Sequence, residues 1–329
     1  MLHAITKNDN RCTRRHWLKT AGALTLGATC APTLRAVAAP DDSATPRMQI
    51  GILMGTFSRP TLEARLDAMK ACGLDCGQLS MGCAGLPAMP DEIPSKLVTR
   101  IRREAVARGI TIASLEGTFN MSHPDPDHRR AGLRRLRVLA AACQPLGTSK
   151  VHLCTGTRNP NSMWRRHADN NSPEAWRDMV SCVRKAADIA RQANVILAFE
   201  PEVNNVVDSA KKARRLMDEI GSPHLKVTMD AANIFHAGDL ARMSEVLDQA
   251  FALIGKDIVL AHAKDLSRDG DAGHEAAGHG KLDYDRYLSL LHAYEFRGPL
   301  LLHGLTEAQI PGCVAFLRDK LARATASDE

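Results

Sequence analysis

Leu197-Ala198-Phe199-Glu200-Pro201-Glu202-Val203-Asn204 passes abruptly from apolar residues to carboxylates, and the pattern recurs further along the chain. It returns at Thr228-Met229-Asp230-Ala231-Ala232-Asn233, at Leu260-Ala261-His262-Ala263-Lys264-Asp265 and at Leu302-His303-Gly304. Each apolar run reads as a strand buried on both faces, with ionisable residues placed where the strand ends. Working outward, comparable runs occupy 49–53, 77–81, 111–115, 150–154, 195–199, 226–229, 258–261 and 299–302, eight in all.

Longer amphipathic stretches separate these runs, at 61–72, 95–108, 127–146, 173–194, 209–220, 239–254 and 283–294, with a last one at 310–324. Gly73, Gly109, Gly147 and Gly221 follow helix ends, and Ser172-Pro173 is an N-cap with proline at the first helical position. Such alternation predicts repeated βα units around a parallel sheet. A doubly wound open sheet has the same alternation but would scatter the polar strand ends. A barrel gathers them at one mouth, and eight strands close one. The fold predicted is therefore α/β, a single (β/α)8 TIM barrel over 48–325.

The chain has 329 residues and a formal charge of +6. Residues 1–39 carry six Lys/Arg against the single acid Asp9, so nearly all of that excess lies there. The rest is close to neutral, which predicts no nucleic-acid partner. Thr13-Arg14-Arg15-His16-Trp17-Leu18-Lys19, an apolar run over 21–30 and the small-residue site Ala36-Val37-Ala38 resemble a twin-arginine export signal. That resemblance implies a signal over 1–39, a linker over 40–47, and a periplasmic or secreted mature protein that keeps no membrane anchor. The apolar run falls well short of the ~20 residues that span a bilayer. Seven cysteines follow the signal, and their spacing does not match paired zinc motifs. They are expected as buried thiols, with one disulfide open in an oxidising compartment.

The Glu-Pro-Glu of 200–202, the Met-Asp-Ala-Ala-Asn of 229–233 and the His-Ala-Lys-Asp of 262–265 resemble the xylose isomerase-like TIM barrel superfamily, which includes sugar phosphate isomerases and epimerases. The resemblance covers roughly residues 48 to 321. It implies a divalent metal held by residues after strands five to eight. Here these are Glu200, Asp230 and His262, with His303 where the family's epimerases carry a second glutamate. Two carboxylates and two imidazoles suit Mn, Zn, Co or Fe better than Mg.

The activity implied is a metal-dependent isomerase or epimerase reaction on a sugar, polyol or inosose-like substrate, begun by proton abstraction next to a carbonyl. A lyase reaction would use the same first step. Glu200, His303 and Lys264 are the expected catalytic groups. Asn120, His123, Glu202, Asn204, Asn233, His236, Asp265 and His279 are candidates for substrate contact, although His123, His236 and His279 fit capping or surface roles equally well. The segment 269–279 reads as a mobile cover. Two other functions fit less closely: a carbohydrate-binding barrel without catalysis, favoured by the missing glutamate, and a metal hydrolase resembling the apurinic endonucleases. An oligomer is compatible with all three.

Overall fold

Val151, Leu153, Leu197, Phe199, Val227 and Met229 lie in one continuous hydrophobic core. The residues between them point the other way, as the two-residue period of a strand requires. His152 and Thr228, from strands that are not neighbours, accordingly meet at 3.0 Å across an enclosed interior. The computed structural model describes residues 48–326. The strands are β1 (Gln49–Leu53), β2 (Cys76–Leu79), β3 (Thr111–Glu116), β4 (Lys150–Cys154), β5 (Ile196–Glu200), β6 (Leu225–Asp230), β7 (Ile258–Asp265), the two-residue β8 (Glu275–Ala276) and β9 (Pro299–Leu302).

Parallel pairing runs from β1 through β7 in order, then to β9 and back to β1, which closes an eight-stranded barrel. The helices α1 (Leu62–Ala71), α2 (Ser95–Ala107), α3 (Pro126–Leu146), α4 (Pro173–Ala193), α5 (Ala210–Ile220), α6 (Met243–Ile254), α7 (Tyr284–Ala293) and α8 (Ile310–Ala326) alternate with the strands. Their starts follow the capping chemistry of the sequence. The Ser172 hydroxyl accepts from Ala175 N at 3.1 Å with Pro173 next in line, and Ser209 does the same for Lys212 N at 3.4 Å.

The floor of the barrel is apolar, with Cys76, Ala113 and Leu301 packed together. Gly51 makes room for them, since a Cβ there would lie 2.5 Å from the Cys76 sulfur and 2.7 Å from Leu301. Above this layer the Ser114 hydroxyl meets the buried Gln78 amide at 3.1 Å, and the ionisable groups come higher still. The interior therefore becomes more polar toward the carboxyl ends of the strands, where barrel enzymes place their chemistry.

Expected and observed elements agree within a few residues, with two differences. β7 continues to Asp265, so His262 and Lys264 sit on a strand rather than after one. The segment expected to be a mobile cover is fastened instead: β8 pairs antiparallel with Lys264 and Asp265 of β7. Gly270 N also donates to Phe235 O at 2.9 Å, and Gly273 N to Asn233 Oδ1 at 2.8 Å. All the cysteines among the described residues are free thiols, and burial pushes Cys76, Cys143 and Cys182 up to about 12. The export signal and the linker lie outside the described residues. No described helix is long and apolar enough to cross a membrane.

Candidate metal and proton-transfer site

Because β5, β6, β7 and β9 are consecutive around the ring, residues at their carboxyl ends must converge. Asp230 and His262 are register partners on β6 and β7, and both are fully buried. His262 Nδ1 lies 3.2 Å from Glu200 Oε2 and 3.5 Å from Asp230 Oδ2, and His303 Nδ1 lies 3.7 Å from the same Asp230 oxygen. The four expected ligands thus gather around His262. Lys264 Nζ approaches Asp230 Oδ2 at 3.2 Å.

His152 was not singled out in the sequence, and the structure brings it into this cluster. Its Nε2 lies 3.6 Å from Glu200 Oε2, and its ring centroid is 5.0 Å from that of His262. Thr228 fixes its tautomer: the Thr228 hydroxyl donates to Ala198 O at 3.2 Å, so it accepts from His152 Nδ1–H at 3.0 Å. The Nε2 lone pair is left facing the site. A histidine inside an otherwise apolar strand, Val151-His152-Leu153, was the available signal.

The electrostatics are those of an inward-facing charge cluster. Burial opposes charge on His262, but Glu200 and Asp230 outweigh it and push the imidazole up to about 9. Burial would raise Glu200, yet His262 carries it down to about 2. Asp230 lies well below the carboxylate range, with Lys264 and His262 overcoming its desolvation. His152 is driven down to about 3 by burial and by His262, so it is neutral near pH 7. Glu202, buried beside Glu200, is raised to about 8, chiefly by desolvation.

Asp230 Oδ2, both ring nitrogens of His262 and His303 Nδ1 are buried without a hydrogen-bond partner. A buried polar atom left so is costly, and the Asp230 oxygen with one nitrogen from each imidazole could share a cation. Ligand atoms of Asp230, His262 and His303 lie within 4.8 Å of one another, as do those of His152, Glu200 and His262. The residues present fit a divalent metal with nitrogen and oxygen ligands.

The other expected contacts divide by place. Asn233 fastens rather than faces the mouth: its Oδ1 accepts from Gly273 N at 2.8 Å, and its Nδ2 donates to Glu200 Oε1. Asp265 likewise holds its loop. Its carboxylate accepts from Leu266 N and Leu282 N, both at 2.8 Å, and from Gly278 N at 3.1 Å. Asn204 ties the cover through Asp271 at 2.7 Å. Asn120 Oδ1 takes Ser122 N and Thr157 N at 3.2 and 3.0 Å, joining the loops after β3 and β4. His123 stacks on His128 at 4.0 Å and meets Pro160 O, His236 meets Asp208 O at 3.0 Å, and His279 is exposed on its loop. Beside the cluster a mouth cavity of about 540 Å³ is lined by His303, Glu116, His274, Glu275, Thr306 and Gln309 together with smaller residues.

A family model described as "Xylose isomerase-like TIM barrel" matches residues 66–319, and the chain belongs to that family. No curated protein matches the sequence. Solved structures similar in fold include a xylose isomerase domain protein from Planctomyces limnophilus, 16% identical with a TM-score of 0.66 over 86% of this chain and 100% of that one. A D-tagatose 3-epimerase-like protein superposes with a TM-score of 0.68 at 13% identity, over 86% of this chain and 100% of its own. The 3-keto-D-glucoside 4-epimerase from E. coli is 17% identical, with a TM-score of 0.62 over 83% of this chain and 100% of its own.

Proposed function

We propose that this protein is a metal-dependent sugar isomerase or epimerase that removes a proton next to a carbonyl. The observation that carries the reading is the convergence of the buried side chains of Asp230, His262 and His303, whose ligand atoms lack hydrogen-bond partners, beside Glu200 at the barrel mouth. A D-tagatose 3-epimerase-like protein, a 3-keto-D-glucoside 4-epimerase and a D-psicose 3-epimerase solved with D-tagatose share the fold, which supports a sugar or related polyol as substrate.

Glu200, Asp230, His262 and His303 would hold the ion, with His152 Nε2 as a further donor. When bound, the metal supplies Lewis-acid polarisation of the substrate's carbonyl and hydroxyl oxygens. Glu200 is the base that takes the proton, and Asn233 fixes the direction of its carboxylate. Lys264 is a fixed positive charge facing the oxyanion as it develops. Burial opposes its charge, but Asp230 and Glu200 raise its ammonium above the usual lysine value, which keeps it charged. The basic segment 1–39 supports export by the twin-arginine route, so the working compartment belongs to the same proposal.

The test is purified protein loaded with Mn²⁺, Co²⁺ or Zn²⁺ and incubated with ketoses, aldoses and inososes in D₂O. Deuterium at the carbon next to the carbonyl is the expected result, and its absence across the panel overturns the reading. A carbohydrate-binding barrel is the second reading, favoured by His303 standing where the epimerases have glutamate. It would give ligand-induced thermal stabilisation without turnover, and Glu200→Gln would leave that stabilisation unchanged.

A further inference from the structure

Epimerisation at a carbon needs a second group that touches the substrate and returns the proton from the opposite face. His303 turns its Nδ1 toward Asp230, and Lys264 turns its ammonium to the same carboxylate. His303 is thereby committed to the ion and Lys264 to holding charge beside it, so neither is free to return the proton. A different carboxyl is in place at the mouth. Glu116 is the last residue of β3, and Leu115 before it lies in the hydrophobic core. The two-residue period therefore turns Glu116 inward with Ser114, which is hydrogen-bonded to Gln78 inside the barrel. Glu116 lines the 540 Å³ mouth cavity, and so does His303, the residue after β9, a strand separated from β3 by β1 and β2.

We infer that Glu116 is a second catalytic acid–base residue, acting from the mouth cavity on the substrate carbon that Glu200 deprotonates. This rests on the proton-abstraction reading above. Glu200 takes the proton, the C–H electron pair becomes the C=C bond of the enediolate, and the carbonyl π pair moves to oxygen. Glu116 then gives its proton to the carbon from the cavity side. The C=C pair forms the new C–H bond, and the oxygen pair restores the carbonyl. Glu200 ends protonated and Glu116 ionised, and exchange with water at the mouth returns both to their starting states.

The experiment uses metal-loaded full-length protein and variants, with D-tagatose, D-psicose and D-fructose as probes in D₂O. Glu116→Gln keeps the shape of the side chain and is expected to lower kcat for epimerisation by about 10²–10⁴-fold, with KM, metal content and the same-face deuterium exchange by Glu200 close to wild type. Glu116→Ala is expected to be equally slow and to regain epimerisation when formate is added, which a purely structural role would not give. Epimerisation by Glu116→Gln within about threefold of wild type, or Glu116→Ala that formate does not rescue, overturns the inference and leaves the function reading standing. Wild type that exchanges with none of the probes overturns both.

Discussion

At the scale of single residues, His152 carries the sharpest consequence of the site's geometry. Held through Nδ1 by Thr228, it offers Nε2 to the cluster at no further ordering cost. His152→Ala is expected to weaken Mn²⁺ or Co²⁺ binding by about 10–100-fold, the usual effect of removing a ligand or its support, when measured by competition with a chelator. Binding unchanged from wild type would remove His152 from the site. This residue also marks the limit of what the sequence discloses. Glu200, Asp230, His262 and His303 are legible because each ends an apolar run. His152 lies in a run that reads as strand, and only closure of the barrel reveals which way it faces, whereas Glu116 directly follows the run 111–115 as Glu200 follows 195–199. Asn233 and Asp265 go the other way: they sit in the right segments, but their amide and carboxylate are taken by neighbouring groups.

At the scale of elements, α7 positions the ligands from behind. The buried Tyr287 hydroxyl lies 3.0 Å from Met229 O and 3.2 Å from His262 O, and Tyr284 donates to Lys264 O at 3.0 Å. One helix thus braces β6 and β7 at the residues that carry Asp230, His262 and Lys264. Tyr287→Phe is expected to cost about 1–2 kcal/mol in urea unfolding, the worth of a buried hydrogen bond whose acceptor is left unpaired. No loss of stability would mean that packing alone fixes the strands. Period and breaker residues revealed the helices and strands, but not β8. Its two residues have no pattern of their own, and their pairing depends on the fastening of the loop by Asp265 and Asn233.

At the scale of the whole molecule, the barrel encloses a charge cluster that a bare interior tolerates only within a window of pH. In protein stripped of metal, His262 is raised from 6.5 to about 9, so its contribution is complete below 6.5 and lost as pH climbs through 9. Glu202, raised from 4.5 to about 8, acts in the same direction, its share being lost as pH rises through 8. Chelator-treated protein is therefore expected to lose a few kcal/mol of stability between pH 6.5 and 9, because each tenfold gain in proton affinity on folding is worth ~1.4 kcal/mol. Urea midpoints that hold or rise over that range would contradict this. Alternation and strand-end chemistry made the closed ring legible, whereas its interior charge balance depends on distances that no sequence pattern prints. The most direct test is to count metal ions in purified protein by elemental analysis after loading with Mn²⁺, Co²⁺ or Zn²⁺, beside Asp230→Asn and His262→Ala. One tightly held ion per chain in wild type, lost in both variants while circular dichroism shows the barrel intact, is the expected result. Wild type that retains no ion, or variants that retain it as wild type does, would contradict the site.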